Sequence, residues 1–273
     1  MKTLKQDRVQ MDVLGFTRFL PPLLITGVLA GYQMSYGILE GLGMTLVAIT
    51  SAVLAEVFLG RFSDEREPNL VSGYITGISV GILIRSLYLW PYVVCSLTSI
   101  FSKYVLRWRG RHLWNPSNLG VSVMLFTAPE TVAGLSIQWG NDLWVLLPIW
   151  GLGLLTVWRV NRLHICLTYV ASFLAFAWVR GLITGQALLP IVSPLTGPMY
   201  QLFIFFMITD PRTTVRSRKG QCVVVFLVAF VEMFLRLEES IYAPFYALCL
   251  VGPAGNAFEI WYEGRRKVQR QND

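Results

Sequence analysis

Two short stretches of this 273-residue sequence concentrate its polar chemistry. The first runs Lys103-Tyr104-Val105-Leu106-Arg107-Trp108-Arg109-Gly110-Arg111-His112-Leu113-Trp114-Asn115-Pro116-Ser117-Asn118. The second runs Thr209-Asp210-Pro211-Arg212-Thr213-Thr214-Val215-Arg216-Ser217-Arg218-Lys219-Gly220. Both combine basic groups with amides or hydroxyls beside the expected start of an apolar helix, and the first adds aromatic rings. Positive charge, free backbone N–H groups at a helix N-terminus and stacking surfaces suit an anionic or flavin-like ligand. Lys103, Arg109 and Arg212 are the candidates to meet a phosphate, and Trp108 or Trp114 to stack on a ring. Pro211 disfavours helix at the residue before it, which leaves the Asp210 carboxylate available to cap nearby donors and to orient Thr209, Thr213 and Thr214. A plainer reading has Asp210 capping a helix and the basic residues anchoring loops at a membrane surface. The residues alone leave both readings open.

Elsewhere the ionisable groups are few. Glu232 falls inside an apolar run with Arg236 one helical turn onward, where an i,i+4 pair offsets a costly buried charge. That pairing is the expected role, with a proton or ion relay as the sharper alternative. Glu40 and Glu56 lie near the ends of apolar runs and are expected to be solvated. His112 and His164 lack partners at catalytic spacing. Cys95, Cys166, Cys222 and Cys249 fall on four different apolar runs with no metal-ligand spacing, so they read as buried free thiols, and no metal site is expected.

The elements that position these groups are membrane helices. Hydrophobic residues make up 54% of the chain and charged residues only 14%, against about 25% charged in soluble domains. The mean hydropathy is +0.54. Apolar runs of the length that a hydrocarbon layer of roughly 30 Å requires recur at 19–37, 42–59, 70–84, 90–108, 115–128, 142–158, 163–179, 190–209, 221–237 and 242–260. The expected fold is therefore all-α and integral to a membrane, with about ten transmembrane helices in a single domain over 19–260, flanked by tails at 1–18 and 261–273. The first run has a basic leader and no small-residue cleavage site, so it reads as an anchor.

Lys and Arg distribution sets the expected orientation. Twenty of the 23 fall in the tails and in the loops after the second, fourth, sixth and eighth runs, and only Arg85, Arg180 and Arg236 fall on the opposite side. The positive-inside rule then places both termini in the cytoplasm, in a multi-pass protein of the cell (inner) membrane, and 131–141 outside. The net charge of +7 is thereby explained by the bilayer, and no nucleic-acid partner is implied.

Five helices per half, an odd number, give two halves of opposite orientation, as in many transporters. The expected repeats are about 19–128 and 142–260. An offset of 128 carries Pro116 onto Pro244, each opening a helix, and two runs, the third and the eighth, are interrupted. The third holds Ser72, Gly73, Thr76, Gly77, Ser79 and Gly81. Small residues there serve either close helix packing or a polar site at a broken helix.

The pattern Lys103…Gly110…Asn115-Pro116 resembles the glycine-rich stretch ending in Asn-Pro-hydrophobic-Asn-Pro of the RnfD and NqrB family, the membrane subunits of Rnf electron-transport complexes and of sodium-translocating NADH:quinone reductases. Only the terminal Asn-Pro is intact. Thr209-Asp210-Pro211-Arg212-Thr213-Thr214 followed by Gly220 is similar to the family's Ala-Thr-Asp-Pro-x-Thr-Ser-Pro…Gly signature, with Val215 where the second Pro would stand. Thr76-Gly77 resembles its third-span motif, and order and spacing agree over 70–260. The resemblance implies a ten-helix fold similar to urea channels and an electron-transfer role alongside other redox subunits. The implied cofactor-binding positions are Thr76, Gly77, Lys103, Gly110, Asn115, Pro116, Asn118, Thr209, Asp210, Pro211, Thr213, Thr214 and Gly220. Family members typically attach flavin mononucleotide to the Thr of a Ser-Gly-Ala-Thr motif beyond the fifth span. This chain has Pro129-Glu130-Thr131-Val132-Ala133-Gly134-Leu135-Ser136 there, so covalent flavin is not expected, and riboflavin or the mononucleotide held non-covalently is the surviving form. Distant relatives of this kind also accompany enediyne biosynthesis, which makes a biosynthetic enzyme an alternative partner. The alternative functions are a small-solute channel or transporter on the same scaffold, or a membrane component of an enediyne biosynthesis pathway.

Overall fold

A computed structural model describes Thr26 and residues 42–62, 68–134 and 143–272. The expected first span lies outside these residues apart from Thr26, whose hydroxyl meets Tyr74 Oη at 2.5 Å. The N-terminal tail and much of 131–141 also lie outside them. The other expected spans each coincide with a helix or a broken helix.

Helix α1 (Leu42–Arg61) packs on α2 (Leu70–Leu83) because α2 presents backbone where side chains would stand. Gly73, Gly77 and Gly81 recur every four residues on one face. A Cβ at Gly77 would lie 2.9 Å from Ala48 O, and one at Gly73 would lie 3.2 Å from Glu56 Cβ. Close helix packing is thus the role of this glycine stripe. Asn69 starts α2 by accepting from Ser72 N at 3.1 Å. Beyond α2 the chain extends through β1 (Ile84–Arg85), which pairs antiparallel with β4 (Ala133–Gly134).

Helix α3 (Trp90–Val105) lies against α1, where Ser96 Oγ donates to Ala48 O at 3.0 Å. It ends before the expected boundary at 108, and 106–113 form a hairpin instead. Strands β2 (Arg107–Trp108) and β3 (Arg111–His112) pair across Arg109 and Gly110, whose φ values are +48° and +77°. Two consecutive left-handed residues make the tight turn whose twist matches a hairpin. Asn115 caps α4 (Pro116–Thr127) by accepting from Asn118 N at 3.0 Å, and Pro116 occupies the first turn where no N–H is needed.

The second half comprises α5 (Leu143–Arg159), α6 (Leu163–Thr184), a broken segment, α9 (Arg218–Leu237) and α10 (Ala243–Asn272). The broken segment consists of α7 (Leu188–Val192), a 3-10 turn at Ser193–Thr196, α8 (Pro198–Leu202) and a π turn at Phe203–Met207. Its two arms meet at 59°, where Gly197-Pro198 interrupts the hydrogen-bond ladder. Helix α6 packs on α9, and α9 on α10. Successive positions along α10 meet the first half in reverse order. Phe245 O accepts from Ser122 and Asn118, Cys249 O from Trp114, and Glu259 pairs with Arg111. Helices α4 and α10 therefore run antiparallel. At 30 residues, α10 is about 45 Å long and continues through the expected tail, where the Arg265 guanidinium sits 4.1 Å from the Trp261 ring centroid.

Polarity is arranged inside out relative to a soluble protein. Ser96, Ser99, Asn118, Glu232 and Asn256 are buried, whereas Leu54, Phe58, Phe126 and Leu182 are each more than 60% exposed. Outward apolar side chains and inward polar ones fit a lipid solvent. Among the described residues, Leu42–Arg61, Leu163–Thr184 and Arg218–Leu237 are long and apolar enough to cross a membrane, and the broken pair makes a fourth candidate. This is a membrane protein.

Candidate functional site

The two polar stretches meet. Asn115, which caps α4, also donates through Nδ2 to Asp210 Oδ2 at 3.1 Å, although 95 residues separate them. Asp210 Oδ2 takes a second bond from Thr213 Oγ1 at 3.0 Å, and Oδ1 takes the Arg212 N–H at 3.0 Å. This is the expected capping by the residue before a proline. Thr214 Oγ1 donates to Asp210 O at 2.9 Å and accepts from the Arg162 guanidinium. Burial lowers the pKa of Arg162, and the Asp210 charge opposes that shift. Thr209 does not join the cluster, because its hydroxyl turns back to Phe205 O at 2.5 Å.

A second layer of contacts closes around this junction. Asn256 Nδ2 donates to Thr213 O at 2.6 Å and Leu113 O at 3.1 Å, tying both stretches to α10. Glu259 pairs with Arg111 at 2.8 Å and accepts the N–H groups of Arg216 and Ser217. Trp114 Nε1 is held by Cys249 O at 2.9 Å. Arg109, at the hairpin tip, lies against Gly264. Gly220 belongs to the cap of α9: its N–H donates to Ser217 Oγ at 3.1 Å, and a Cβ there would lie 2.6 Å from that oxygen. Gly110 belongs to the hairpin turn and its O accepts from Arg107 at 3.0 Å.

Lys103 lies apart from Asn115 in a buried polar cluster of its own. Its Nζ donates to Thr76 Oγ1 at 2.8 Å and Ser72 Oγ at 3.0 Å, and pairs with Glu56 Oε2 at 3.5 Å. Tyr104 Oη donates to Glu56 Oε1 at 3.1 Å. Glu56 is 4% exposed, which corrects the expectation that it is solvated. A partner 47 residues away makes its burial tolerable, and that pairing has no local signal. The charges of Asp210 and Arg212 act on Lys103, so the cluster borders the junction.

A third cluster surrounds Glu232. Arg236 Nε lies 3.0 Å from Glu232 Oε1, as i,i+4 spacing predicts. Sequence reasoning misses Tyr169, whose hydroxyl meets Glu232 Oε2 at 2.5 Å, and Tyr200, which bonds to both Glu232 and Arg236. The one hint in the sequence is a Tyr amid an otherwise apolar run. His164 also has a partner, Gln221 Oε1 at 2.6 Å. The four cysteines are free thiols.

The ligand-binding capacity of the junction follows from what is already engaged. Lys103 is spent on Glu56, Ser72 and Thr76, and both oxygens of Asp210 are occupied. At the seam between α4 and α10, the buried atoms that lack a hydrogen-bond partner among the described residues include two acceptors, Asn118 Oδ1 and Asn256 Oδ1, and one donor, Arg111 Nη1. Acceptors do not suit a phosphate. They suit N–H or O–H donors, such as the ring N–H and ribityl hydroxyls of an uncharged flavin.

Residues 137–250 match the model of the NQR2, RnfD, RnfE family, a span that contains the second polar stretch. No curated protein matches the chain.

Proposed function

We propose that this chain, whose residues 137–250 match the model of the NQR2, RnfD, RnfE family, is the integral-membrane subunit of an electron-transport complex of that type. The observation that carries the proposal is the Asn115–Asp210 contact. It joins the two stretches that resemble the family's signatures, one of them inside the matched span. The finer architecture in this reading is ten spans in two inverted repeats with both termini cytoplasmic. In support, an offset of 128 carries the first residue of α3, Trp90, onto that of α9, Arg218, and Pro116 of α4 onto Pro244 of α10. Helices α1 and α6 fill corresponding places beside α3 and α9.

The cofactor in this reading is riboflavin held non-covalently, with Asn118 and Asn256 as the acceptors and Asp210 fixing the loop between them. When bound, the flavin supplies one- and two-electron redox chemistry. The chain's own residues orient it, exclude water and hold the two halves in register.

Gentle purification from native membranes followed by an optical spectrum tests the reading. Near-stoichiometric flavin absorbance, released by denaturation, together with co-purifying redox subunits is the expected result. Absence of both would refute it and favour the second reading, a small-solute channel on the same scaffold. That alternative is supported by the broken segment at 188–207 and by the absence of Ser-Gly-Ala-Thr in 129–136. Flux into proteoliposomes would then be the defining assay.

A further inference from the structure

The Glu232 cluster carries more positive than negative charge. Arg180 on α6 is only 9% exposed, and the structure gives it one hydrogen bond, to Ile191 O at 3.1 Å. Glu232 is the carboxylate that lines the same cavity as Arg180 and Arg236. That carboxylate is already satisfied, because Tyr169 holds Oε2 while Tyr200 and Arg236 hold Oε1. As a carboxylate it accepts from all three donors. Two guanidinium groups therefore share a single negative charge in a setting where an uncompensated ion is costly.

A cavity of about 10 Å³ adjoins all three charges and is otherwise lined by apolar groups, including Phe173, Phe176 and Met233. Its volume corresponds to roughly one water-sized sphere. Arg180 has unspent N–H donors, and the rim of an aromatic ring carries partial positive charge. The geometry points to a binding site for a single small monovalent anion of halide size, held by Arg180 and Arg236 beside Glu232. The anion brings the cluster to neutrality. Glu232 also borders the cavity and repels an anion, but its oxygens are drawn to the two tyrosines, and two positive charges outweigh one. This site is independent of the flavin reading, since it uses none of the junction's residues.

Thermal unfolding of the full chain in detergent, with sodium chloride exchanged for sodium gluconate at fixed sodium, tests the site. Chloride should raise the melting temperature saturably, by about 5 °C at a hundredfold excess over Kd, whereas gluconate is too large to enter. The shift should vanish in Arg180→Gln. It should also vanish in Ala177→Val, which fills the cavity without altering any charge and decides the matter if Arg180→Gln does not fold. No saturable chloride shift in the natural chain would overturn the site, as would a shift that persists in the cavity-filled variant, since the cavity then holds water only.

Discussion

Replacing Gly77 with Ala adds one methyl group at the place where α1 and α2 come closest. The new carbon would lie 2.9 Å from both Ala48 O and Ile49 N, and nearer still to Ile49 Cα. These are backbone atoms, so no side-chain rotation relieves the contact and the helices must separate. Overpacking costs about 1–3 kcal/mol, and a backbone collision belongs at the upper end. The exchange also recovers about 1 kcal/mol, because Ala favours helix over Gly. The net loss is about 2 kcal/mol, or roughly thirtyfold in the folding equilibrium. Gly151 in α5 supplies the control: a Cβ there meets nothing within 4 Å, so Gly151→Ala should be neutral or stabilising. Gly73→Ala should fall between, since its closest contacts are 3.2–3.4 Å. Denaturant unfolding of the purified variants in detergent measures all three. Equal stability of Gly77→Ala and Gly151→Ala would refute the packing argument and reopen Gly77 as a ligand contact.

Asn115→Ala and Asp210→Ala should be non-additive by about 1 kcal/mol in a double-mutant cycle, because each loses the same bond; additive losses would mean that the junction does not form. Tyr169→Phe should cost about 1–3 kcal/mol by leaving the buried Glu232 short of a donor, and an unchanged unfolding midpoint would contradict the cluster. Denaturing electrophoresis viewed under ultraviolet light should show no flavin fluorescence at the mass of the chain. An introduced cysteine, Ser217→Cys, should resist an impermeant reagent added outside intact cells, and its modification would reverse the proposed orientation.

Helix positions are legible in the sequence because the lengths of apolar runs report directly on the bilayer. So are two local pairings, the Asp210 cap before Pro211 and the Glu232–Arg236 turn, since both lie within four residues. The solvated expectation for Glu56 fails for the opposite reason: its environment depends on Lys103, and nothing near residue 56 signals it. Tyr169 and Tyr200 are hidden for the same reason, because a hydroxyl in an apolar run reveals its partner only when α6, α8 and α9 assemble. The hairpin at 107–112 escapes an apolar reading of 90–108, which runs straight through it, although Arg109-Gly110 sits at its turn. Thr76, Gly77, Gly110 and Gly220 stand out in the sequence as special positions, and their geometry assigns them to an ion-pair cluster, a helix contact, a turn and a cap.

The antiparallel seam between α4 and α10 draws on both halves of the chain. Phe245, Cys249, Asn256 and Glu259 all hold residues between 111 and 122, and Tyr242 Oη accepts from Gly134 N at 3.1 Å. Buried amides and a carboxylate engaged along such a seam recognise one another by geometry as two separate proteins do. Covalent continuity of the chain then keeps the two pieces at high local concentration. In this respect the protein is a heterodimer whose two partners share one polypeptide.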